Sequence, residues 1–202
     1  MKRTVGIIDY GVGNLASVWR ALHALGYRCR VSDQPETLSQ TDLLLLPGVG
    51  AFPAAMAALH QHQLVDYLQA QARSGKPMVG ICLGMQLLAD ASSEHRITAG
   101  LGLIPGHVGP LANNNWHIGW NSIELVCDDS MFKPSDGQSM YFNHSYVAHV
   151  VPEYAVCVSQ QLHERFATVI RHANVVGLQF HPEKSQAAGR QLLRNVIEGL
   201  CE

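Results

Sequence analysis

Three short apolar runs, "TVGIIDY" at 4–10, "DLLLL" at 42–46 and "PMVGI" at 77–81, limit the fold more than any other feature of the chain. Each is too short to be a helix and carries no polar residue in its centre, the pattern of a strand covered on both faces. Helical spacing fills the intervals. In "NLASVWRALHAL" at 14–25, Leu15, Val18, Leu22 and Leu25 form one apolar stripe, Asn14 is placed to cap it and Gly26 to stop it. "RCRVS" at 28–32 reads as a further short strand, and "AAMAALHQHQLVDYLQAQARSG" as one helix ending at Gly75. This alternation predicts an α/β fold with a doubly wound, mostly parallel sheet and helices on both faces.

Beyond Gly100 the rhythm changes. "HIGWNSIELV", "SMYFNHSYVAHV", "YAVCVSQQ", "ATVIRH" and "VVGLQF" are strand-like with turns between, which predicts an antiparallel strand excursion in the second half. A closing helix spans 185–200, with Ser185 as its N-cap. No repeat or linker divides the chain, so residues 1–202 read as a single domain.

Only 15% of residues are charged, well below the ~25% of an average soluble domain, and the net charge is −2. Nothing there favours nucleic acid or an anionic membrane as partner. No apolar run approaches the ~20 residues of a membrane span, and the N-terminus lacks a signal-peptide core. Five scattered cysteines without a C-x-x-C pair argue against a disulfide framework, so a reducing cytoplasm is expected. Of eleven histidines, the close pair His60 and His62 is two apart on a helix and diverges; no metal is expected.

Chemistry concentrates where strands end. "GICLG" places Cys82 between Gly80 and Gly84, at the carboxyl end of a buried strand and the start of a helix. That is the geometry of Gly-x-Ser-x-Gly with sulfur for oxygen: a strained turn lifts the nucleophile above the sheet, and flanking glycines remove clashes. The backbone N–H of Leu83 would face an oxyanion. A buried structural cysteine would fit the pentapeptide as well. In "LQFHPEKS", His181 and Glu183 are two apart in extended chain and project together, a base with its orienting carboxylate; a solvated loop pair is the bland alternative. "LPGVG" at 46–50 supplies Val49 and Gly50 amides at another strand end, or is simply a turn. Gly11-Val12-Gly13 after the first strand, with Asp33 beyond, also fits a weak dinucleotide fingerprint. A cysteine peptidase or thiol-dependent chaperone on the same fold is a further possibility.

Taken together, Gly80-Ile81-Cys82-Leu83-Gly84-Met85-Gln86 and Phe180-His181-Pro182-Glu183 resemble the class I, triad-type glutamine amidotransferases. The resemblance runs nearly end to end. "IDYGVGNLASV", "LPGVGAF", "GLGLIPG", "HIGWN", "YFNHSY" and "GLQFHPEKS" look most like the branch that serves histidine biosynthesis. It implies that Cys82 attacks the side-chain amide of L-glutamine, with His181 as base and Glu183 orienting it. It further implies that Leu83, Val49 and Gly50 donate to the oxyanion, and that Gln86, Glu94, Ser145 and Tyr146 hold the amino and carboxylate ends of glutamine. Ammonia would pass to a (β/α)8-barrel synthase subunit; related glutaminases feed other synthases, including those of surface-polysaccharide sugars. Two segments depart from the branch: Trp116 and Ile118 stand in "WHIGWN" where Pro and Met are usual, and Asn143 stands where Val is usual.

Overall fold

The computed structural model of the protein describes residues 2–112 and 116–202. The first half follows the expected rhythm: β1 (Thr4–Ile8), α1 (Leu15–Ala24), β2 (Arg28–Ser32), α2 (Pro35–Ser39), β3 (Leu43–Gly48), α3 (Phe52–Gln61), α4 (Leu64–Arg73), β4 (Met78–Cys82) and α5 (Leu83–Leu87). Strands β5 (Ala91–Ser92), β6 (Thr98–Ala99), β7 (Gly106–Pro110), β8 (His117–Ser122), β9 (Glu124–Leu125), β10 (Ser139–His144), β11 (Tyr146–Val150), β12 (Ala155–Gln161), β13 (Glu164–His172) and β14 (Val175–Leu178) follow, before α6 (Gln186–Leu200).

The main sheet has eight strands in the order β2-β1-β3-β4-β14-β13-β12-β9. Neighbours from β2 to β14 pair in parallel, and β13, β12 and β9 extend the sheet antiparallel. Every residue of β3 and β4 is buried, as their unbroken apolar sequence requires. Alternation splits the core in two. Val5, Ile7, Leu43 and Leu45 pack towards α1 and α6. Ile8, Leu44 and Leu46 pack towards α2 to α5. The chain runs from β1 outward to β2 and then back across β1 to β3. The strand order therefore reverses between β1 and β3, and the crevice at their carboxyl ends is the favoured place for a ligand.

Three local expectations are corrected. The single helix expected over 54–75 is two, α3 and α4, broken at His62 and Gln63, where Gln63 takes φ +55°. Leu59 and Leu64 are five residues apart, about 140° out of phase on one straight helix. The break re-phases the second stripe, so that Leu59 and Leu64, Leu68 and Ala72 all reach the core. The run "SMYFNHSYVAHV" is two strands in different sheets: β10 pairs with β8, and β11 pairs with β7. Ser145 is the joint between them. Ser185 precedes α6 but makes no capping bond with its side chain. Its hydroxyl instead donates to the His181 carbonyl (2.7 Å) and accepts from the Tyr141 N–H (2.9 Å). Short β5, β6 and β7, rich in small residues, carry too little periodicity to be seen in the sequence.

The glycines about Cys82 answer to packing as well as to backbone freedom. A Cβ on Gly84 would collide with the Leu46 carbonyl oxygen of β3, and one on Gly80 with the carbonyl of Gly84. Helix α5 thus lies directly on β3 and β4. Gly84→Ala should destabilise the fold by at least the ~1–3 kcal/mol of core overpacking. Gly199→Ala meets only the flexible side chain of Met131 and gains helix propensity, so it should be close to neutral. Denaturant unfolding of the two variants makes the comparison; equal midpoints would contradict the packing account.

Candidate active site

Three strand ends converge. In the sheet register Gly48 of β3 stands beside Cys82 of β4, and Ile81 beside Leu178 of β14, so the chain leaving β14 carries His181 to the thiol. Cys82 adopts φ +54°, ψ −111°, a conformation that non-glycine residues avoid. The strain is held by the close fit of α5 on β3, as in a nucleophile elbow.

His181 and Glu183 face each other, but not along an extended chain as expected: Pro182–Lys184 is a 3-10 turn with His181 at its start, and the turn brings the carboxylate back to the ring. Imidazole Nδ1 lies 2.8 Å from Glu183 Oε1, and both side chains are buried. A carboxylate only accepts, so Nδ1 donates and Nε2 is left for the thiol. The His181 backbone is fixed as well: its N–H donates to the Tyr141 carbonyl (2.8 Å). Burial works against a charge on the ring. Hydrogen bonding with Cys82 and Glu183, and the negative charge of both, outweigh it and raise the imidazole to about 10. The pair is thus built to hold a proton on the imidazole beside the sulfur. The other cysteines have no such neighbour. Burial raises Cys29 to about 11 and pushes Cys157 higher still, the inert condition of a structural thiol.

A cavity of ≈ 320 Å³ opens over Cys82. Val49, Gly50, Leu83, Gln86, Glu94, Ser145, Tyr146 and His181 all line it, so the structure brings the sequence-derived candidates to one place. Their settings differ. Leu83 begins α5, and the N–H groups of a helix's first turn have no partner within the helix. Glu94 Oε2 accepts the Phe52 N–H (2.8 Å), which ties that loop to the start of α3. Gln86 donates to the Tyr146 carbonyl (2.9 Å). The two departures meet: Trp116 Nε1 donates to Asn143 Oδ1 (3.0 Å), and the Asn143 carbonyl lies 3.8 Å from Cys82 Sγ. They form one rim of the cavity.

Tyr10 escaped the sequence reading. It is buried at the end of β1, and its hydroxyl donates to the Pro47 carbonyl (2.8 Å), clamping the start of the Pro47–Gly50 loop. Burial, then the neighbouring Cys82, raise its phenol and keep it a donor. A tyrosine closing a strand before a glycine turn was the available signal. A Cβ on Gly13 would come within 3.3 Å of the Pro47 ring, so the Gly11-Val12-Gly13 turn lies close against this segment. Asp33, the acidic residue of the dinucleotide pattern, accepts from Gln34 and contacts His62. Among the described residues no cluster of His, Cys, Asp and Glu could hold a metal ion, and no helix is long and apolar enough to cross a membrane.

A thiol on an elbow, with an imidazole and carboxylate behind it, sits in a fold shared by other solved structures. PurLQS from Thermotoga maritima superposes with TM-score 0.79 at 17% identity, over 99% of this chain and 100% of that one. A structure described as a glutamine amidotransferase superposes with TM-score 0.77 at 19% identity, over 98% of each. Residues 6–199 match the family model described as glutamine amidotransferase class-I, and the chain belongs to that family. Within it, the chain is 42% identical to a Listeria innocua protein over 95% of this chain and 94% of that one. It is 46% identical to a Lactiplantibacillus plantarum protein over 93% and 91%. Both relatives are named imidazole glycerol phosphate synthase subunit HisH.

The proton on His181 is open to direct test. Its folded pKa lies above 6.5, so the stability it contributes is full below pH 6.5 and is lost as pH rises through about 10. Glu183→Gln removes one of the groups that raise it and should lower the His181 titration, narrowing that window. An NMR titration of the His181 ring in both proteins measures this; identical titrations would show that Glu183 does not hold the imidazolium.

Proposed function

We propose that this chain is the glutaminase subunit of an imidazole glycerol phosphate synthase. The reading is carried by the cavity lined by Cys82 and His181, with Glu183 behind the imidazole, and supported by relatives of that name along almost the whole chain. Cys82 Sγ, having given its proton to His181, attacks the side-chain amide carbon of L-glutamine. The tetrahedral oxyanion is met by backbone N–H groups of Leu83 and of Val49 or Gly50. As the C–N bond breaks, His181 returns the proton to nitrogen and ammonia leaves. The glutamyl thioester is then hydrolysed by water, with His181 again taking a proton, and glutamate departs. Glu183 keeps the ring oriented throughout. Gln86, Glu94, Ser145 and Tyr146 receive the amino and carboxylate ends of glutamine. No cofactor or metal takes part in this scheme. Ammonia goes to a (β/α)8-barrel synthase subunit, in a cytoplasmic heterodimer, which makes imidazole glycerol phosphate and aminoimidazole carboxamide ribotide.

Cys82→Ala should abolish glutamine-dependent synthesis by the reconstituted complex and leave ammonia-dependent synthesis intact. Replacing Cys29, Cys127, Cys157 or Cys201 by Ser should change turnover little. Glutamine hydrolysis by the Cys82→Ala protein at the wild-type rate would refute the assignment.

The loop that follows β3 and lines the cavity with Cys82 is the ground for expecting control by the partner. Gly48 is wedged against Leu83 and Gly84, and Tyr10 holds Pro47, but the grip ends there. Val49 is exposed, and Gly50, at φ +93°, has nothing within 4 Å of where a side chain would begin. Its peptide can turn at small cost. One oxyanion donor is worth ~10²–10³ in rate. The isolated chain should therefore hydrolyse glutamine poorly. Adding the synthase barrel and then its ribonucleotide acceptor should raise kcat in steps more than they lower KM. Steady-state assays with and without each addition decide it; full activity in the isolated chain would end the gating idea and spare the triad.

A further inference from the structure

One imidazole serves the scheme above, yet two more are buried beside it. His117 on β8 and His144 at the end of β10 are register partners, with Nδ1 of His117 lying 3.1 Å from Nε2 of His144. They are packed with Phe142 and Phe166, His117 stacking on the Phe142 ring at 4.6 Å. Hydrogen-bond logic fixes both tautomers. His144 Nδ1 lies 3.0 Å from the Tyr146 carbonyl oxygen, which can only accept, so Nδ1 carries the proton. Nε2 of the neutral ring then accepts, and His117 Nδ1 must donate to it. His117 Nε2 is left as acceptor, with the Asn121 amide nitrogen 3.5 Å away, the same nitrogen that donates to the Gln160 carbonyl (2.8 Å). Every donation runs one way, from Asn121 through His117 and His144 to Tyr146. Only two neutral rings permit it. Burial, followed by the nearby His117, holds His144 down at about 3, and burial lowers His117.

The receiving atom matters. The Tyr146 carbonyl also accepts from Gln86 Nε2, which reaches Gln179 Oε1 at 3.3 Å as well. Gln86, Ser145 and Tyr146 form one wall of the cavity over Cys82, and the neighbouring Ser145 carbonyl is fixed by the Leu111 N–H (2.8 Å). Ser145 is also the joint where the chain passes from one sheet to another, between the β10 pair that ends at His144 and the β11 pair that begins at Tyr146.

We propose that His144, held as its Nδ1–H tautomer by His117, is a positioning residue that sets the Tyr146 carbonyl against Gln86 and so presets the wall that receives the amino-acid end of glutamine. This rests on the reading of the cavity as a glutamine site. His144 touches no reacting atom. Its loss should weaken ground-state and transition-state binding alike and leave the thiol's chemistry as it was.

Asn and Phe at position 144 separate the possibilities. The Asn amide nitrogen can occupy the place of imidazole Nδ1 and donate to the Tyr146 carbonyl; Phe fills the ring's volume without a donor. In the full chain with its synthase partner, His144→Phe should raise KM for glutamine about tenfold, the size of one lost hydrogen bond, with kcat within about twofold. Alkylation of Cys82 by iodoacetamide should proceed at the wild-type rate. His144→Asn should recover most of the KM. An unchanged KM in His144→Phe, a loss confined to kcat, or failure of His144→Asn to do better than Phe would overturn the proposal. Nitrogen NMR of the wild-type imidazoles needs no variant: protons on Nδ1 of both His117 and His144 are expected, and a proton on His144 Nε2 would overturn it even if the Phe variant does not fold. Absence of glutamine turnover in the wild-type complex would defeat the glutaminase reading itself, a result distinct from active wild type with an indifferent His144→Phe.

Discussion

The strained backbone at Cys82 is the constraint on which the rest depends. A φ of +54° with ψ −111° lies outside even the left-handed well that Gln63 occupies, and it persists on a side-chain-bearing residue only where its surroundings hold it. Here those surroundings are backbone. Helix α5 rests on β3 through Gly84 and Gly48, and on β4 through Gly80, with no side chains between. On the far side Met85 packs where Gly177 of β14 leaves room. Four glycines from three strands and one helix thus bring the elements close enough to fix one thiol above the sheet.

From that fixed point the remaining groups are placed by register. The pairing of β4 with β14 puts the exit of β14 beside Cys82, and His181 follows three residues after the last strand residue. Ser185 and Tyr141 then tie the His181 backbone to β10, and β10 carries Asn143 and His144 into the same cavity. The buried His181–Glu183 contact would be costly as an isolated ion pair. Beside a thiol that can carry the opposite charge it becomes a way of storing a proton where the chemistry needs one.

Much of this was legible before any coordinates. The unbroken apolar runs of β1, β3 and β4 could only be covered strands, and their alternation with helical stripes left few topologies besides a doubly wound sheet. The glycines flanking Cys82 already stated a geometry, because a Cβ-free turn is a local property; the two-residue spacing of His181 and Glu183 suggested their meeting, but through strand periodicity, whereas a 3-10 turn over Pro182–Lys184 brings them together. The break between α3 and α4 was not legible. A continuous helix satisfies the same residues locally, and only the need of Leu64 and Leu68 to reach the core selects the kink. The division of "SMYFNHSYVAHV" between two sheets was hidden for the same reason, since strand sequence does not name its partner.

The fold class, the turn that carries Cys82 and the candidacy of His181 and Glu183 could be read from residues within a turn or two of one another. That Tyr10 clamps Pro47, that Trp116 meets Asn143, and that His117 and His144 hand one direction of hydrogen bonding to the wall of the cavity came from the folded chain alone. Each is a contact between residues distant in sequence. Its existence depends on sheet register and on which buried polar atoms are left needing a partner, and no local pattern of residues encodes either.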